Sequence, residues 1–323
     1  MRTSQEIEAI SNAIEKCGFN FDIGLEEKLS DKEVAEILAT LLFEVTNNSK
    51  NRLIEVRDYE QIAKKGTFRY SGKADTMFKE GLIPENVFQE LKTLPENEKD
   101  TRHIGPSYLK VKGLLTHHGA REFFGRQMAY RILDHVKKVP LEKPDGFIVC
   151  SPNMTGGVYI GDETGAQLSL VSSEHNIWPA TPYMRETRKT IDVISPKEKI
   201  TDFWEGLIPT VEDTSLINCF EELRTAAETS QNATNIYRHF GYNEENNVRI
   251  AEGCVFDYQH PVGVERIKRL GVAGLYAVGG KTFFNVAANL GYINDSQLQT
   301  AKNWLNDPWK FTMKVTPLVK KLG

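Results

Sequence analysis

Residues 207–219 read LIPTVEDTSLINC, and they carry the strongest indication of fold and function in the chain. An apolar run, interrupted by Pro209 and Thr210, leads to two adjacent acids, Glu212 and Asp213. A hydroxyl-rich loop and a helix-like segment, CFEELRTAAE, follow. We expect a strand that ends at the paired carboxylates, which can accept hydrogen bonds from ribose hydroxyls, while loop amides and the helix N-terminus hold a phosphate. The alternative is that Asp213 only caps a helix.

The composition is typical of a globular chain. Its 323 residues allow one large domain or two ordinary ones, and 40% hydrophobic with 26% charged residues predict a packed core. A net charge of −4 and a pI near 6.0 argue against general nucleic-acid binding. No apolar run is long enough for a membrane span, so we expect no membrane partner. The four cysteines form no CxxC pair, which favours a cytoplasmic location and disfavours a disulfide framework or a zinc site.

Predicted strands and helices alternate from residue 121 onwards. This alternation predicts an α/β fold with a parallel sheet flanked by helices, and ligands at the carboxyl ends of its strands. A helix is expected over 121–139 and another over 262–271, with a C-terminal helix pair. The expected strands cover 146–150, 207–211, 253–258 and 274–279.

The region before residue 121 is less regular. Apolar spacing predicts a helix from Asp31 to Val45, capped near Ser30, and a short helix over 53–66 that ends at Gly66. A hairpin with its turn at 71–73 follows. Polar insertions are expected at 80–106 and 229–249. We divide the chain into an N-terminal helical extension, 1–51, and a main domain, 52–323, with a small hood subdomain from 52–110 and the C-terminal region.

Three further segments are candidates for binding. The loop SPNMTGG, 151–157, has glycines that let the backbone approach an anion, although an ordinary turn has the same composition. The segment YMRETRKT, 183–190, concentrates cations that could neutralise a diphosphate, or it is a solvated charge run. Aromatic residues of the hairpin, 68–78, could pack on a planar base or on the core.

In their order along the chain, these blocks resemble orotate phosphoribosyltransferases, which are type I phosphoribosyltransferases. That family has the patterns F-x-x-K-S-G-R, G-P-x-x-G-G, R-K-E-x-K, V-E/D-D-x-x-T-x-G-G-S, V-D-Y and a closing D-P-W. The resemblance extends over about residues 52–311. The matching segments here are 68–73, 151–157, 184–188, 211–219, 255–258 and 307–309.

The resemblance implies a site for phosphoribosyl diphosphate (PRPP). Glu212 and Asp213 would hold the ribose hydroxyls, and Asp213 would also be catalytic. Arg185 and Arg188, in a mobile loop, would neutralise the departing diphosphate, and Arg188 would act from the neighbouring subunit of a homodimer. Mg²⁺ would be held through the substrate, with no direct protein ligand.

The same resemblance implies three sets of binding residues. The 5-phosphate would lie against Thr214, Ser215 and Asn218. The diphosphate would lie against Thr155, Gly156 and Gly157. The base would be bordered by Phe78, Lys73 and Ser71.

Two departures from the family pattern bear on activity. Tyr70 stands where the family has a lysine that contacts the base side. Residues 217–219, Ile-Asn-Cys, stand where the family's 5-phosphate loop has glycines, so that loop is predicted to be degenerate. A β-branched residue in a left-handed conformation costs about 1–2 kcal/mol.

Three hypotheses follow. The first is a transferase that moves phosphoribose from PRPP to a pyrimidine-type base such as orotate, in pyrimidine biosynthesis. The second is a catalytically impaired protein of the same fold that binds a nucleotide or a protein partner. The third is a transferase with a different acceptor.

Overall fold

The computed structural model describes residues 28–44, 53–92, 102–184, 194 and 197–319, of which 69–74, 102, 103, 154–156 and 319 are described through their backbone only. The strands are β1 (Ile54–Val56), β2 (Phe68–Lys73), β3 (Arg102–Gly105), β4 (Ser107–Leu109), β5 (Phe147–Pro152), β6 (Tyr183–Met184), β7 (Trp204–Glu205), β8 (Thr214–Arg224), β9 (Arg249–Asp257) and β10 (Ala273–Gly279). The helices are α1 (Asp31–Glu44), α2 (Tyr59–Lys65), α3 (Ala74–Lys79), α4 (Glu85–Lys92), α5 (Val111–Leu115), α6 (His118–Lys138), α7 (Met154–Val171), α8 (Glu228–His239), α9 (Pro261–Leu270), α10 (Gly280–Asn289), α11 (Asp295–Asn306) and α12 (Pro308–Val319).

The main sheet is parallel, with the strand order β10-β9-β8-β5. A short stretch beyond β5 extends it, because Ile148 donates its N–H to the Asn176 carbonyl (2.8 Å) and accepts from the Trp178 N–H (2.9 Å). The backbone groups of one residue in a parallel strand point to the same neighbour, so residues 176–178 and β8 lie on opposite sides of β5. The chain therefore leaves β5 in one direction and later builds β8, β9 and β10 in the other.

Helices cover both faces of this sheet. Leu216 and Phe220 of β8 belong to an apolar cluster shared with α1, α6, α7 and α10. Ile217 and Cys219 belong to a second cluster, shared with α8. Successive residues of a strand point to opposite faces, which explains the division. The predicted α/β fold with a parallel sheet flanked by helices is confirmed.

Among the described residues, three two-stranded antiparallel sheets lie outside the main sheet: β1 with β4, β2 with β3, and β6 with β7. A third apolar cluster joins α3 and α4 to Ala226, Val262 and Trp309. Residues of α1 contribute to the largest apolar cluster together with helices of the main domain. The division at residue 51 and the hood subdomain stay predictions.

The predicted strand over 207–211 is wrong. Residues 207–210 have no regular structure, 211–213 form a turn, and β8 begins only at Thr214. Pro209 has no N–H to donate to a ladder, which disfavours a strand there. The predicted helix over 219–228 is mostly the carboxyl half of β8, and the predicted insertion over 229–249 contains most of α8.

The predicted hairpin turn at 71–73 is also wrong. β2 runs through these residues, pairs with β3 with a register shift between Arg69 and Lys73, and leads directly into α3. The expected helix over 53–66 is β1 followed by α2. Its predicted end at Gly66 is confirmed by a φ of 79°.

The helix predicted from Asp31 is confirmed as α1, and the Ser30 hydroxyl accepts the Glu33 N–H at 3.3 Å. Within the parts of the chain that the structure describes, no helix combines the length and apolarity needed to cross a membrane.

Candidate functional site

A crevice is expected where β5 and β8 end, because the chain departs in opposite directions from β5 at that point. Such a change of direction in a parallel sheet is where α/β proteins bind ligands. Pro152 is in register with Phe220, and the Asn153 N–H donates to the Phe220 carbonyl at 2.6 Å. Helix α7 starts directly after β5, and α8 starts four residues after β8 ends.

The N-terminus of α7 would form the first wall of this expected crevice. Asn153 occupies the N-cap position with φ −90° and ψ 107°, but its side chain does not cap the helix. Thr155 and Gly156 lie in the first turn, where the resemblance places the diphosphate. At Gly157 an added Cβ would lie 2.1 Å from the Phe220 carbonyl oxygen. This glycine therefore allows α7 to pack closely on β8.

The second wall is the N-terminus of α8. Ala227 precedes it in a left-handed conformation (φ 54°, ψ 31°), and no side chain caps this helix either. Hydroxyl groups are concentrated here, on Thr225, Thr229 and Ser230. Uncapped amides and hydroxyls at a helix N-terminus favour an anionic ligand.

An acid pair that the sequence interpretation overlooked lies on this side of the crevice. The family pattern E/D-D-x-x-T, with a conservative change, fits Glu221 and Glu222 followed by Thr225. Counted from Glu212 and Asp213, the threonine position holds Leu216 instead. The threonine spacing was thus the signal that could have found the pair.

The two acids differ in environment. Glu221 is buried beneath α8, and the Ser230 hydroxyl donates to its Oε1 at 2.9 Å. Burial raises the pKa of Glu221 to about 7, although Arg224 and the Ser230 hydrogen bond oppose the rise. Glu222 is half-buried and belongs to the opposite face of β8. Glu222 is therefore the more accessible carboxyl group.

Arg224, the last residue of β8, links that strand to β9 and β10. It is 2% exposed, and its Nε and Nη2 donate to Oδ2 of Asp257 at 3.0 and 2.8 Å. It also donates to the carbonyls of Glu252 (3.1 Å) and Leu275 (3.3 Å). All of these partners belong to strands of the sheet, so the guanidinium stabilises the pairing of β8 with its neighbours.

Glu252, on β9, is hydrogen-bonded both to α8 and to the N-cap residue of α7. It is fully buried; its Oε1 accepts from the Thr234 hydroxyl of α8 at 2.7 Å, and its Oε2 accepts from Nδ2 of Asn153 at 3.3 Å. Burial raises the pKa of Glu252 to about 8, and the Thr234 hydrogen bond works against the rise.

Glu212 and Asp213 lie just before the amino end of β8, whereas the segment 153–157 lies near its carboxyl end. The Asp213 carbonyl accepts from the N–H of Phe147, the first residue of β5, at 2.7 Å, and its Oδ2 accepts from the Thr210 hydroxyl at 2.9 Å. From Thr214 to Phe220 a strand advances about 20 Å. The structure does not bring this acid pair to the 153–157 segment, and the pair instead stabilises a turn.

Residues 214–219 form a strand, so the prediction that they are a phosphate loop is wrong. Thr214, Ser215 and Asn218 are all buried in β8. The Thr214 hydroxyl donates to the Thr210 carbonyl at 2.7 Å, and the Ser215 hydroxyl donates to the Lys143 carbonyl. A phosphate has no access to them.

The predicted base-contacting residues lie on β2 and α3. Ser71 and Lys73 are on β2, and the Phe78 ring stacks on Phe88 with centroids 4.0 Å apart. This contact matches the core-packing alternative. Arg185 and Arg188 lie outside the described residues. Among the residues that the structure does describe, no group of three or more His, Cys, Asp or Glu is placed to hold a metal ion.

Comparisons with family models and with curated proteins give no match. Among solved structures, UMP synthase of Leishmania donovani is 15% identical with a TM-score of 0.43, over 64% of this chain but only 37% of that protein. Orotate phosphoribosyltransferase of Francisella tularensis is 13% identical with a TM-score of 0.40, over 63% of this chain and 84% of that one. The enzyme of Aeropyrum pernix is 15% identical with a TM-score of 0.37, over 58% and 86%. These scores are too low to assign a family or a reaction.

Proposed function

We propose that this chain is a phosphoribosyltransferase that binds PRPP in the crevice between β5 and β8. It transfers the phosphoribose to a pyrimidine-type base such as orotate and releases diphosphate. One observation carries the proposal: two helix N-termini, both without side-chain caps, start at the edge where the sheet changes direction.

Each part of the ligand has a proposed partner. The amides of the first turn of α7 bind the diphosphate. The amides of α8, with the hydroxyls of Thr225 and Thr229, bind the 5-phosphate. Glu222 accepts hydrogen bonds from the ribose hydroxyls, in the role that the sequence had given to Glu212 and Asp213.

The chemistry is electrostatic and positional. Positive charge develops on the anomeric carbon as the diphosphate leaves, and groups fixed in advance around that charge lower the barrier. Arg185 and Arg188 are the proposed cations for the leaving group. Mg²⁺ commonly binds through substrate phosphates and few carboxylates, which fits a crevice that offers Glu222. The ion would supply further neutralisation of the diphosphate.

A second candidate function is ligand binding without turnover. It is favoured by the residues at the family's glycine positions, Ala227 and Glu228, and by the buried position of Glu221. A side chain at each position narrows the space for a phosphate. In this case the chain binds a nucleotide or a protein partner.

Three finer parts of the proposal rest on sequence alone. The orotate-type base follows from the resemblance, whereas Tyr70 favours a different acceptor. The homodimer follows from the family's use of a neighbouring subunit. A cytoplasmic location follows from the wide spacing of the four cysteines, which form no CxxC pair.

Calorimetry with PRPP and Mg²⁺ tests the proposal. We expect saturable binding, and loss of orotate absorbance when the base is added. Glu222→Gln should weaken PRPP binding roughly tenfold, as expected for loss of a charged hydrogen-bond acceptor. Asp213→Asn, at the other edge of the sheet, is the matched control and should bind like the unmodified chain.

The outcomes separate the candidates. Binding without consumption of orotate or another base supports the second candidate function. No binding at millimolar PRPP overturns transfer from PRPP to orotate or to any other acceptor. Weaker binding in Asp213→Asn but not in Glu222→Gln would show that the acid pair is wrongly placed.

A further inference from the structure

Asn153 stands at a helix N-cap and does not cap. Asparagine is among the best N-cap residues, and the backbone of Asn153 has the extended conformation in which such caps form. Its side chain nevertheless makes no hydrogen bond to the first turn of α7. The first-turn amides of α7 therefore have no side-chain partner from this position.

Glu252 accounts for this arrangement. The Asn153 side chain reaches from the end of β5 across β8 to β9, where its Nδ2 donates to Oε2 of Glu252 at 3.3 Å. Its Oδ1, the atom that would cap α7, is buried and has no partner among the described residues. The amide is thus turned away from its own helix by one hydrogen bond.

Glu252 is itself held from two sides. The Thr234 hydroxyl of α8 fixes its Oε1 at 2.7 Å, and its neighbour across the ladder is Cys219. The titratable and charged groups that act on it are Glu221, Arg224 and Cys219 of β8, Tyr237 of α8 and Cys254 of β9. Such a buried carboxyl group has little freedom to follow Asn153 if that side chain rotates.

We propose that Glu252 is a positioning residue that holds Asn153 in a non-capping orientation and so keeps the first-turn amides of α7 open for an anionic ligand. The inference rests on the proposed function for the identity of that anion, the diphosphate group. Without the Glu252 carboxyl, Asn153 rotates, caps its own helix and competes with the ligand for the same N–H groups.

Four variants of the full chain test this with inorganic diphosphate as the probe. Glu252→Ala should weaken diphosphate binding roughly fivefold, the size of a typical N-cap interaction. Glu252→Gln keeps an oxygen acceptor for Nδ2 and should bind normally. Asn153→Ala should also bind normally, because no cap can form. The double variant Asn153→Ala/Glu252→Ala should recover the binding lost in Glu252→Ala.

Recovery in the double variant separates positioning from support of the fold. If Glu252 only stabilises the sheet, removing Asn153 as well cannot restore binding, and that result would overturn the inference. Thr164→Val removes another buried hydroxyl, which donates to the Ile160 carbonyl within α7 at 2.6 Å, and it should leave binding unchanged.

A measurement without ligand separates this inference from the proposed function. In Glu252→Ala, hydrogen exchange at the first-turn amides of α7 should slow several-fold, and Asn153→Ala in that background should reverse the slowing. Unchanged exchange contradicts the inference even if diphosphate binds. Slowed exchange in a chain that binds neither diphosphate nor PRPP supports the inference and contradicts the proposed function.

Discussion

At the scale of single residues, the backbone of Ala227 matters most for the crevice. It has a φ of 54°, a conformation that costs a residue with a Cβ about 1–2 kcal/mol and costs glycine almost nothing. Because α8 starts at the next residue, this strain is located where the phosphate is proposed to bind.

Ala227→Gly should therefore stabilise the fold by about 0.5–1 kcal/mol, after allowing for the greater entropy of glycine in the unfolded chain. Urea denaturation measures the change. Ala233→Gly, inside α8, is the matched control and should destabilise by about 1 kcal/mol. Equal losses in both variants would contradict the strain at Ala227.

At Gly157, in contrast to Ala227, the present residue is the favourable one, because a side chain there would clash with β8. A Cβ there would lie 2.1 Å from the Phe220 carbonyl oxygen, whereas one at Gly165, in the same helix, would be 3.6 Å from the Cys150 Cβ. Gly157→Ala should cost about 2–4 kcal/mol by forcing α7 away from β8, and Gly165→Ala should be neutral or mildly stabilising. Thermal unfolding of both variants checks the contrast, and equal melting temperatures would contradict it.

Single residues also show why the sequence interpretation selected the acid pair at 212–213 rather than the pair at 221–222 that we propose. Two acid pairs occur nine residues apart, at 212 and 221, and only their surroundings distinguish them. The stretch 216–220 is buried strand, while Pro209 interrupts the run before Glu212. Pro209 and the spacing to Thr225 both favour the pair at 221–222, and both can be read from the sequence without the structure.

At the scale of elements, β8 is anchored by the ion pair between Arg224 and Asp257. Both partners are nearly buried, with side-chain exposures of 2% and 10%. Removing one partner leaves an uncompensated charge in the interior, and this usually costs more than the pair contributes.

Arg224→Met should thus destabilise the chain by about 3–5 kcal/mol. Arg249→Met is the matched control on the neighbouring strand, because the Arg249 side chain is 25% exposed and lies 3.6 Å from the exposed Glu142. Its cost should be about 1 kcal/mol or less. Denaturation midpoints measure the loss of stability in each variant. A loss in Arg224→Met no larger than that in Arg249→Met would contradict the cost of an uncompensated buried charge.

Elements with strong periodicity were predicted correctly, and β8 and α8 were not. The helix from Asp31, α6 and the strands β5, β9 and β10 were found because each has a continuous apolar pattern. The segment 219–228, with its alanine and glutamates, has helix-forming composition, yet most of it lies in the sheet. Burial between two strands outweighs its local preference.

At the scale of the whole molecule, two buried carboxyl groups link folding to pH. The pKa of Glu221 is raised to about 7 and that of Glu252 to about 8, from an ordinary value of 4.5, in both cases mainly by burial. Between pH 4.5 and these values the folded chain holds protons that the unfolded chain has lost. The contribution of these two groups to stability therefore falls as pH rises across this range.

We expect the free energy of unfolding to decrease from pH 5 to pH 8, by up to about 1.4 kcal/mol per pH unit for each proton retained. Glu252→Gln should flatten this dependence. Glu265→Gln is the control, because Glu265 is exposed and its pKa is lowered, mainly by a hydrogen bond from Arg269. Denaturation curves at several pH values measure the slopes, and equal slopes in all three chains would contradict the linkage.

The sheet order was the part of the molecule that the sequence could not predict. Alternating strands and helices indicate a parallel sheet, but the direction in which the chain leaves β5 depends on long-range pairing of residues 176–178. That pairing decides where the crevice lies. The glycine-containing segment 151–157 was correctly expected at a strand end, but its prediction as a loop is wrong, because Ser151 and Pro152 belong to β5 and Met154–Gly157 belong to α7. The acid pairs could be assigned to an end of the sheet only after β8 was placed.

The contact between Gly157 and Phe220 has a consequence for recognising distant relatives of this chain. A backbone oxygen cannot retreat as a side chain can, so any sequence that keeps α7 packed on β8 must keep glycine at this position. Acids at the strand end and small residues before α8 can be exchanged as ligands diverge. A search for homologues at very low identity should thus give most weight to a single glycine five residues after a buried strand.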